Sequence, residues 1–271
     1  MNTVSEMEKT TALNIQDLSF DYGGDPVLDH VSFSIQQGDY VALIGPNGVG
    51  KTTLLKILLG ILSPREGAVL LHNEPVQSYR SIERAKQIAY VSQHPALSFP
   101  LTVFELVSLG RYPHSNRFER GETDNKAIEE ALALTDSAHL RDRKFTTLSG
   151  GEKQKVLISR ALAQSMKILL MDEPTVHLDL YYQLQILKTL KNLCVGRQSI
   201  VIAVLHDINL ATFFADKAIL LRSGKIHAFG TVQDVVNEKN IQDVFGVEMT
   251  AREDEKTGSR YFLPRGPLVS K

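Results

Sequence analysis

Apolar residues are spaced for short strands through LNIQDLSF (13–20) and VSFSI (31–35) and crowd together in YVALIG (40–45) and AVLLH (68–72), with the turn signals GGDP and QQGD separating the first three. This predicts a block of strands over 13–73. One helix is expected inside it, starting at 51–53, carrying Leu54, Leu55, Ile57 and Leu58, and stopping at Gly60. From about 102 to 164 the period lengthens to that of a helix. Thr102 and Glu105 have capping-box spacing ahead of VFELVSLG, and Ala127, Ile128, Ala131 and Leu132 recur on one helical face. Two unalternating apolar runs follow, 168–171 and 200–205, and suit strands covered on both faces of a parallel sheet. The tail from about 238 is polar, with a charge run at 252–256, and is expected to cover surface rather than carry chemistry.

Composition narrows the class. A chain of 271 residues with 43% hydrophobic content can bury the core of one large α/β domain or of a core with a subdomain. Thirty Lys and Arg stand against 31 Asp and Glu, for a net charge of −1 with no long basic run, so no nucleic-acid partner is expected. Cys194 is the single cysteine, which excludes a disulfide or zinc framework within one chain and fits a reducing cytoplasm. The opening MNTVSEMEKTT lacks an apolar signal core and the apolar runs are far too short to span a bilayer. Any membrane role is expected to be borrowed from a partner.

Gly45, Pro46, Asn47, Gly48, Val49, Gly50, Lys51 and Thr52 match G-x-x-x-x-G-K-[ST], directly after an apolar strand and directly before a helix that Thr53 continues. Glycines let successive N–H groups turn inward around phosphate oxygens. The helix N-terminus adds about half a positive charge and Lys51 a full one. A nucleotide is the expected ligand, with Thr52 offering its hydroxyl to Mg²⁺. After ILLM come Asp172 and Glu173, then Pro174. At a strand end successive side chains point to different sides, so Asp172 is free to orient Mg²⁺ while Glu173 polarises an attacking water. A solvated acidic turn is the other reading of these two residues. His206, beyond the second buried strand, and Gln93, ending IAYVSQ, are each open to a phosphate-facing role or a structural one.

Leu148, Ser149, Gly150, Gly151 and Glu152 form LSGGE, in which Ser149 and Glu152 also have the spacing of a capping box. LSGGE resembles the signature motif of ABC ATPases, and it lies upstream of ILLMDEP in the order that family uses. The resemblance covers about 13–230. It implies an α/β fold: a P-loop NTPase (RecA-like) core with an N-terminal antiparallel β subdomain and an inserted α-helical subdomain. It places one ATPase domain at 12–235, with the α/β core and β subdomain at 12–93 and 166–235, the helical signature subdomain at 94–165, and a C-terminal extension at 236–271. It also implies that Tyr22 stacks on adenine, that 45–53 is the Walker A loop, and that Gln93 is the Q-loop residue with a hand on the metal. Asp172 and Glu173 become Walker B, Asp179 the D-loop and His206 the switch histidine. In that family the signature residues serve the nucleotide of a second copy, so two chains sandwich two ATP molecules. One departure is visible at the D-loop, where Val176, His177, Leu178 and Asp179 lack the hydroxyl many relatives carry.

The run VFELVSLGRYPH (103–114) and the tail VQDVVNEKNIQDVFGVE (232–248) resemble the ATPases of importers for ferric siderophores, haem and cobalamin. That implies a peripheral protein on the cytoplasmic face of the cell membrane. Two permease subunits are expected to dock between Gln93 and Tyr112, and a substrate-binding protein to act indirectly. Iron chelate is the first expectation for cargo. A soluble ABC-type ATPase of an assembly or repair complex is the alternative, and the absence of long heptads argues against the repair type. A GTPase is disfavoured because Asn125-Lys126 is not followed by the Asp of N-K-x-D. A metabolic kinase leaves LSGGE unexplained.

Overall fold

The computed structural model describes residues 11–93, 100–114, 121–176, 178–255 and 259–267. In chain order the elements are β1 (Thr11–Phe20), β2 (Leu28–Gln36), β3 (Tyr40–Ile44), α1 (Lys51–Leu58), β4 (Glu66–Leu71), β5 (Glu74–Pro75), α2 (Ser81–Gln87) and β6 (Ile88–Val91). Then follow α3 (Val103–Ser108), α4 (Glu122–Leu134), α5 (Gly150–Ala163), β7 (Ile168–Met171), α6 (Leu180–Arg197), β8 (Ile200–Val204), α7 (Ile208–Phe214), β9 (Lys217–Arg222) and β10 (Lys225–Thr231). The chain continues into α8 (Val232–Val235), α9 (Glu238–Phe245), β11 (Val247–Glu253) and β12 (Arg260–Pro267).

A six-stranded sheet in the order β10-β9-β3-β8-β7-β6 forms the centre, parallel from β9 to β6, with β10 antiparallel at its edge. The unalternating runs lie here because helices or a second sheet cover both faces: every residue of β3, β7 and β8 is buried. The pleat divides each strand between two cores. Tyr40, Ala42 and Ile44 of β3 join the cluster built with α3, α4, α5 and α6, whereas Val41 and Leu43 join the cluster of α1 and the antiparallel sheet. That second sheet runs β2-β1-β4-β5, and β2 alternates buried and open positions because one side meets solvent.

Strand register sets where the chemistry gathers. Val91 pairs with Met171, Met171 with Ala203, and Leu43 with Val204, so β6, β7, β8 and β3 end level with one another. Their C-terminal ends deliver Gln93, Asp172 and Glu173, His206, and the loop 45–50 to one edge of the sheet. In an open parallel sheet this edge is the ligand edge.

Among the described residues the helical stretch holds α3, α4 and α5, and α3 carries the expected capping box. Thr102 Oγ1 accepts from the Glu105 N–H while a Glu105 carboxylate oxygen accepts from the Thr102 N–H at 2.8 Å. The tail departs from a purely polar cover. It forms α9 and a β11–β12 hairpin, whose Phe262 is wholly buried in the larger core. One aromatic residue at a single inward position leaves no periodic signal in a polar segment. Among the described residues no helix is long and apolar enough to cross a membrane.

Candidate functional site

Helix α1 begins without a side-chain cap and without an acidic residue in its first turn. Its first internal bond is from the Leu54 N–H to the Gly50 carbonyl at 2.8 Å, which leaves the amides of Lys51, Thr52 and Thr53 ahead of the helical ladder. The loop reaches this point through Gly50, at φ 105°, where an added Cβ would lie 2.9 Å from the Val27 carbonyl. At Gly45 a Cβ would meet the Leu221 carbonyl at 2.7 Å. Only glycine fits either place, and the loop so shaped leads into the uncapped N-terminus of α1, the arrangement that binds phosphate.

Lys51 is 6% exposed, and its ammonium donates to the carbonyls of Gly45 at 2.7 Å and Pro46 at 2.8 Å. Burial pulls its pKa below the usual lysine range, while the nearby Glu173 and Asp172 push it back up. Thr52 donates its hydroxyl to Asp172 at 2.7 Å, and Tyr90 reaches the same carboxylate oxygen at 3.5 Å. Asp172 is buried. Burial, with Asp172 adding to it, pushes the Tyr90 hydroxyl up to about 12, so it remains a neutral donor.

Glu173 follows β7 in a left-handed backbone conformation, φ 53°. Non-glycine residues hold this region at a cost of about 1–3 kcal/mol, typically where function over-determines the geometry. The turn sends the two carboxylates apart, as their position at the strand end predicts. Asp172 faces Thr52, and Glu173 receives the Gln93 side-chain amide on one oxygen and meets His206 Nε2 with the other, both at 2.5 Å. Tyr22 stands 64% exposed at the opposite rim, its ring edge-on to Phe20 with centroids 4.8 Å apart and its hydroxyl 3.3 Å from Thr53 Oγ1. Tyr22, Asn47, Gly48, Gly50, Lys51, Thr52, Thr53, Gln93, Glu173 and His206 line one cleft of about 560 Å³. Gly45 and Pro46 lie behind it as acceptors for Lys51, and Val49 packs into the core.

Ser149, Gly150, Gly151 and Glu152 line a different cleft, of about 590 Å³, together with Asp179. Among the described residues none lines both. The capping reading of LSGGE holds: Ser149 Oγ accepts from the Glu152 N–H at 3.3 Å and Glu152 accepts from the Ser149 N–H at 2.8 Å. The backbone hydrogen bond from Ser149 pulls the Glu152 carboxyl below its usual pKa, with the Ser149 side chain adding to it. The capping box engages the Glu152 amide and leaves those of Gly150 and Gly151, which also line the cleft, ahead of the helical ladder, so capping and anion binding are compatible. Asp179 caps α6 by accepting from the Tyr182 N–H at 3.0 Å. His177, part of the D-loop departure, lies outside the described residues, as do 94–99 of the segment expected to meet a permease.

Three contributors escape a motif reading. Tyr90 sits one place before the end of a strand and carries no motif. Lys155 is buried beneath the second cleft, its ammonium 3.2 Å from the centre of the Tyr182 ring. Gln154 donates to the Pro174 carbonyl at 3.2 Å, tying α5 to the segment after Glu173.

The ABC transporter family profile matches residues 28–176. The chain is 36% identical over 252 residues to a cobalamin import ATP-binding protein of Halobacterium salinarum, covering 93% of this chain and 63% of that relative's length. It is 37% identical over 260 residues to the ferric enterobactin transport ATP-binding protein of Escherichia coli, covering 96% of each. Among solved structures, one described as an inward-facing ABC transporter of metal-chelate type superposes with a TM-score of 0.82 at 31% identity, over 94% of this chain and 98% of that one. An ATP-binding cassette solved as a dimer in a post-hydrolysis state with ADP and Pi gives 0.73 at 30% identity, over 81% and 98%. A phosphate cradle, a clamped carboxylate and a signature helix in one α/β frame thus have a family as well as a geometry: the chain belongs to the ATP-binding proteins of the ABC transporter family.

Proposed function

We propose that this chain is the ATP-hydrolysing subunit of an importer, energising uptake of a ferric siderophore, or a related cargo such as haem or cobalamin, through a separate membrane permease. The observation that carries hydrolysis is Glu173, held between the Gln93 amide and the His206 ring at the lip of the Lys51 cleft. ATP is the substrate. Its adenine lies on Tyr22 and its phosphates on backbone N–H groups of 47–53 and the Lys51 ammonium. The Thr52 hydroxyl and Asp172 carboxylate are hard oxygen donors of the kind Mg²⁺ takes, with the Gln93 carbonyl at the same lip. When bound, that ion neutralises charge on the β and γ phosphates. Glu173 takes a proton from water as the water oxygen bonds to the γ phosphorus and the bond to ADP breaks. Gln93 and His206 fix Glu173 and the water in line.

Ser149, Gly150, Gly151, Glu152 and Asp179 serve the nucleotide of a second copy. Their placement in a cleft that, among the described residues, shares none with the first supports this reading, and the relative solved as a dimer with ADP and Pi supports a paired arrangement. The unit 94–165 is the helical signature subdomain beside the core of 12–93 and 166–235. Leu109 and Tyr112, 50% and 72% exposed, are the described apolar residues at the permease surface, on the cytoplasmic face of the membrane. The import assignment for metal chelates rests on the similarity to the enterobactin and metal-chelate relatives.

Two measurements test this. Purified chain releases phosphate from MgATP, and Glu173→Gln does not; equal release from both would remove Glu173 from the chemistry. Cells carrying Glu173→Gln lose uptake of a radiolabelled ferric siderophore, and unchanged uptake of the siderophores the host uses would move the cargo away from iron chelates.

A further inference from the structure

The β11–β12 hairpin grips the helix that begins just beyond His206. Asn209, in the first turn of α7, donates from Nδ2 to the Phe262 carbonyl at 3.2 Å and accepts the Phe262 N–H on Oδ1 at 2.7 Å. A side-chain amide that mimics a strand partner in this way engages both polar groups of one backbone residue. Phe262 is wholly buried directly beside this bond pair, in the same cluster as Leu210 and Ala211, with Ile208, Met249 and Ala251 packed against it.

The other side of the hairpin is fixed as well. Glu238 of α9 accepts from the Ala251 N–H at 2.7 Å, and Arg260 donates to the Gln233 carbonyl at 3.2 Å. The hairpin is therefore a strut between α8–α9 and α7. Asp207 caps α7, accepting from the Asn209 N–H at 2.8 Å and the Leu210 N–H at 3.1 Å. Asp207 adjoins His206, whose ring meets Glu173. A continuous set of hydrogen bonds and one peptide link join Phe262 to the hydrolytic carboxylate.

We propose that Asn209 is a positioning residue, through which the C-terminal hairpin holds the start of α7 and so keeps His206 against Glu173. This role depends on the proposed function, in which His206 acts in hydrolysis. His206 is 43% exposed and follows a strand end. With its ring that open, its place depends on the backbone beneath it as well as on its contacts. A misplacement of about 1 Å by a group remote from the reaction can lower turnover by as much as about a hundredfold.

The test uses the full chain with Asn209→Ala and Asn209→Asp, each alone and with His206→Ala, in MgATP hydrolysis. Asn209→Ala lowers kcat about tenfold with ATP KM unchanged, as expected for a misplaced reacting group rather than a lost binding contact. Asn209→Asp retains the acceptor for the Phe262 N–H and loses less. With His206 already replaced, neither change lowers kcat further, because the two residues act as one unit. Wild-type kcat in both Asn209 variants overturns the proposal, and so does an undiminished fall in the His206→Ala background. A second readout needs no hydrolysis. The His206 imidazole resonance, assigned by its loss in His206→Ala, shifts in Asn209→Ala and less in Asn209→Asp; an unmoved resonance in both overturns the brace. If the wild-type chain hydrolyses no ATP but the resonance shifts, the brace stands and the hydrolytic reading falls.

Discussion

The Lys51 ammonium donates to the carbonyl of Gly45, six residues back, at 2.7 Å, so the loop before α1 is closed on its own lysine. The cation is buried, and the two loop carbonyls partly offset its lost hydration. A polyanion arriving at the α1 N-terminus finds a charge already placed and dehydrated. Lys51→Ala removes it. ATP affinity is expected to drop by a factor above about 100, the equivalent of one or two charge-assisted hydrogen bonds. Titration calorimetry decides, and an unchanged dissociation constant would remove the lysine from the phosphate site.

Tyr22 supplies area rather than charge. Its ring is fixed edge-on by Phe20 and its hydroxyl by Thr53, so the exposed face needs no rearrangement to receive a base. Tyr22→Ala is expected to weaken ATP by about 1–3 kcal/mol, the range for a base stacked on an aromatic ring. The loss should appear in KM with kcat intact, and Tyr22→Phe should behave as wild type. A fall confined to kcat would mean that the ring is not the base platform.

Most of this site is legible in the sequence because its parts lie at the ends of strands whose apolar runs are unmistakable. YVALI announces the cradle, ILLM the two carboxylates and IVIAVL the histidine. The left-handed turn at Glu173 is not legible, since no local residue type demands it; the partners Gln93 and His206, 80 and 33 positions away, define it. Nor is the strut from the tail. Asn209 and Phe262 are 53 residues apart, and each is ordinary within its own segment. Tyr90 joins Asp172 only through the register of β6 on β7, which strand pairing alone sets.

Tyr40 illustrates a cost that the fold carries. It is wholly buried at the start of β3, and among the described residues its hydroxyl has no hydrogen-bond partner. Burial drives its pKa far above the ordinary tyrosine range. Tyr40→Phe keeps the ring and deletes the unsatisfied group, whose burial costs about 1–3 kcal/mol. The urea midpoint is expected to rise by a corresponding amount with an unchanged slope. A lowered midpoint would mean that the hydroxyl is bonded in solution, for example to a buried water.

The pair of clefts gives the sharpest expectation. Glu173→Gln preserves the shape of the side chain, leaves the Thr52–Asp172 contact in place and keeps every donor of the cradle, but it removes the base. ATP then binds and stays. In the proposed pairing one end of that ATP is held by 45–53 of one chain and the γ phosphate meets the Gly150 and Gly151 amides and the Ser149 hydroxyl of a second, groups that within one chain line a separate cleft. A variant that cannot hydrolyse its substrate should therefore accumulate as a closed homodimer in MgATP and not in MgADP. Adding Ser149→Arg should undo the dimer: the longer side chain fills the second cleft and breaks the capping box at the start of α5. Light scattering of Glu173→Gln in both nucleotides, and of the double variant in MgATP, reads the mass directly. Equal dimer in all three samples would refute an interface bridged by ATP, and a monomer in all three would show that the second copy does not complete the site without the permease.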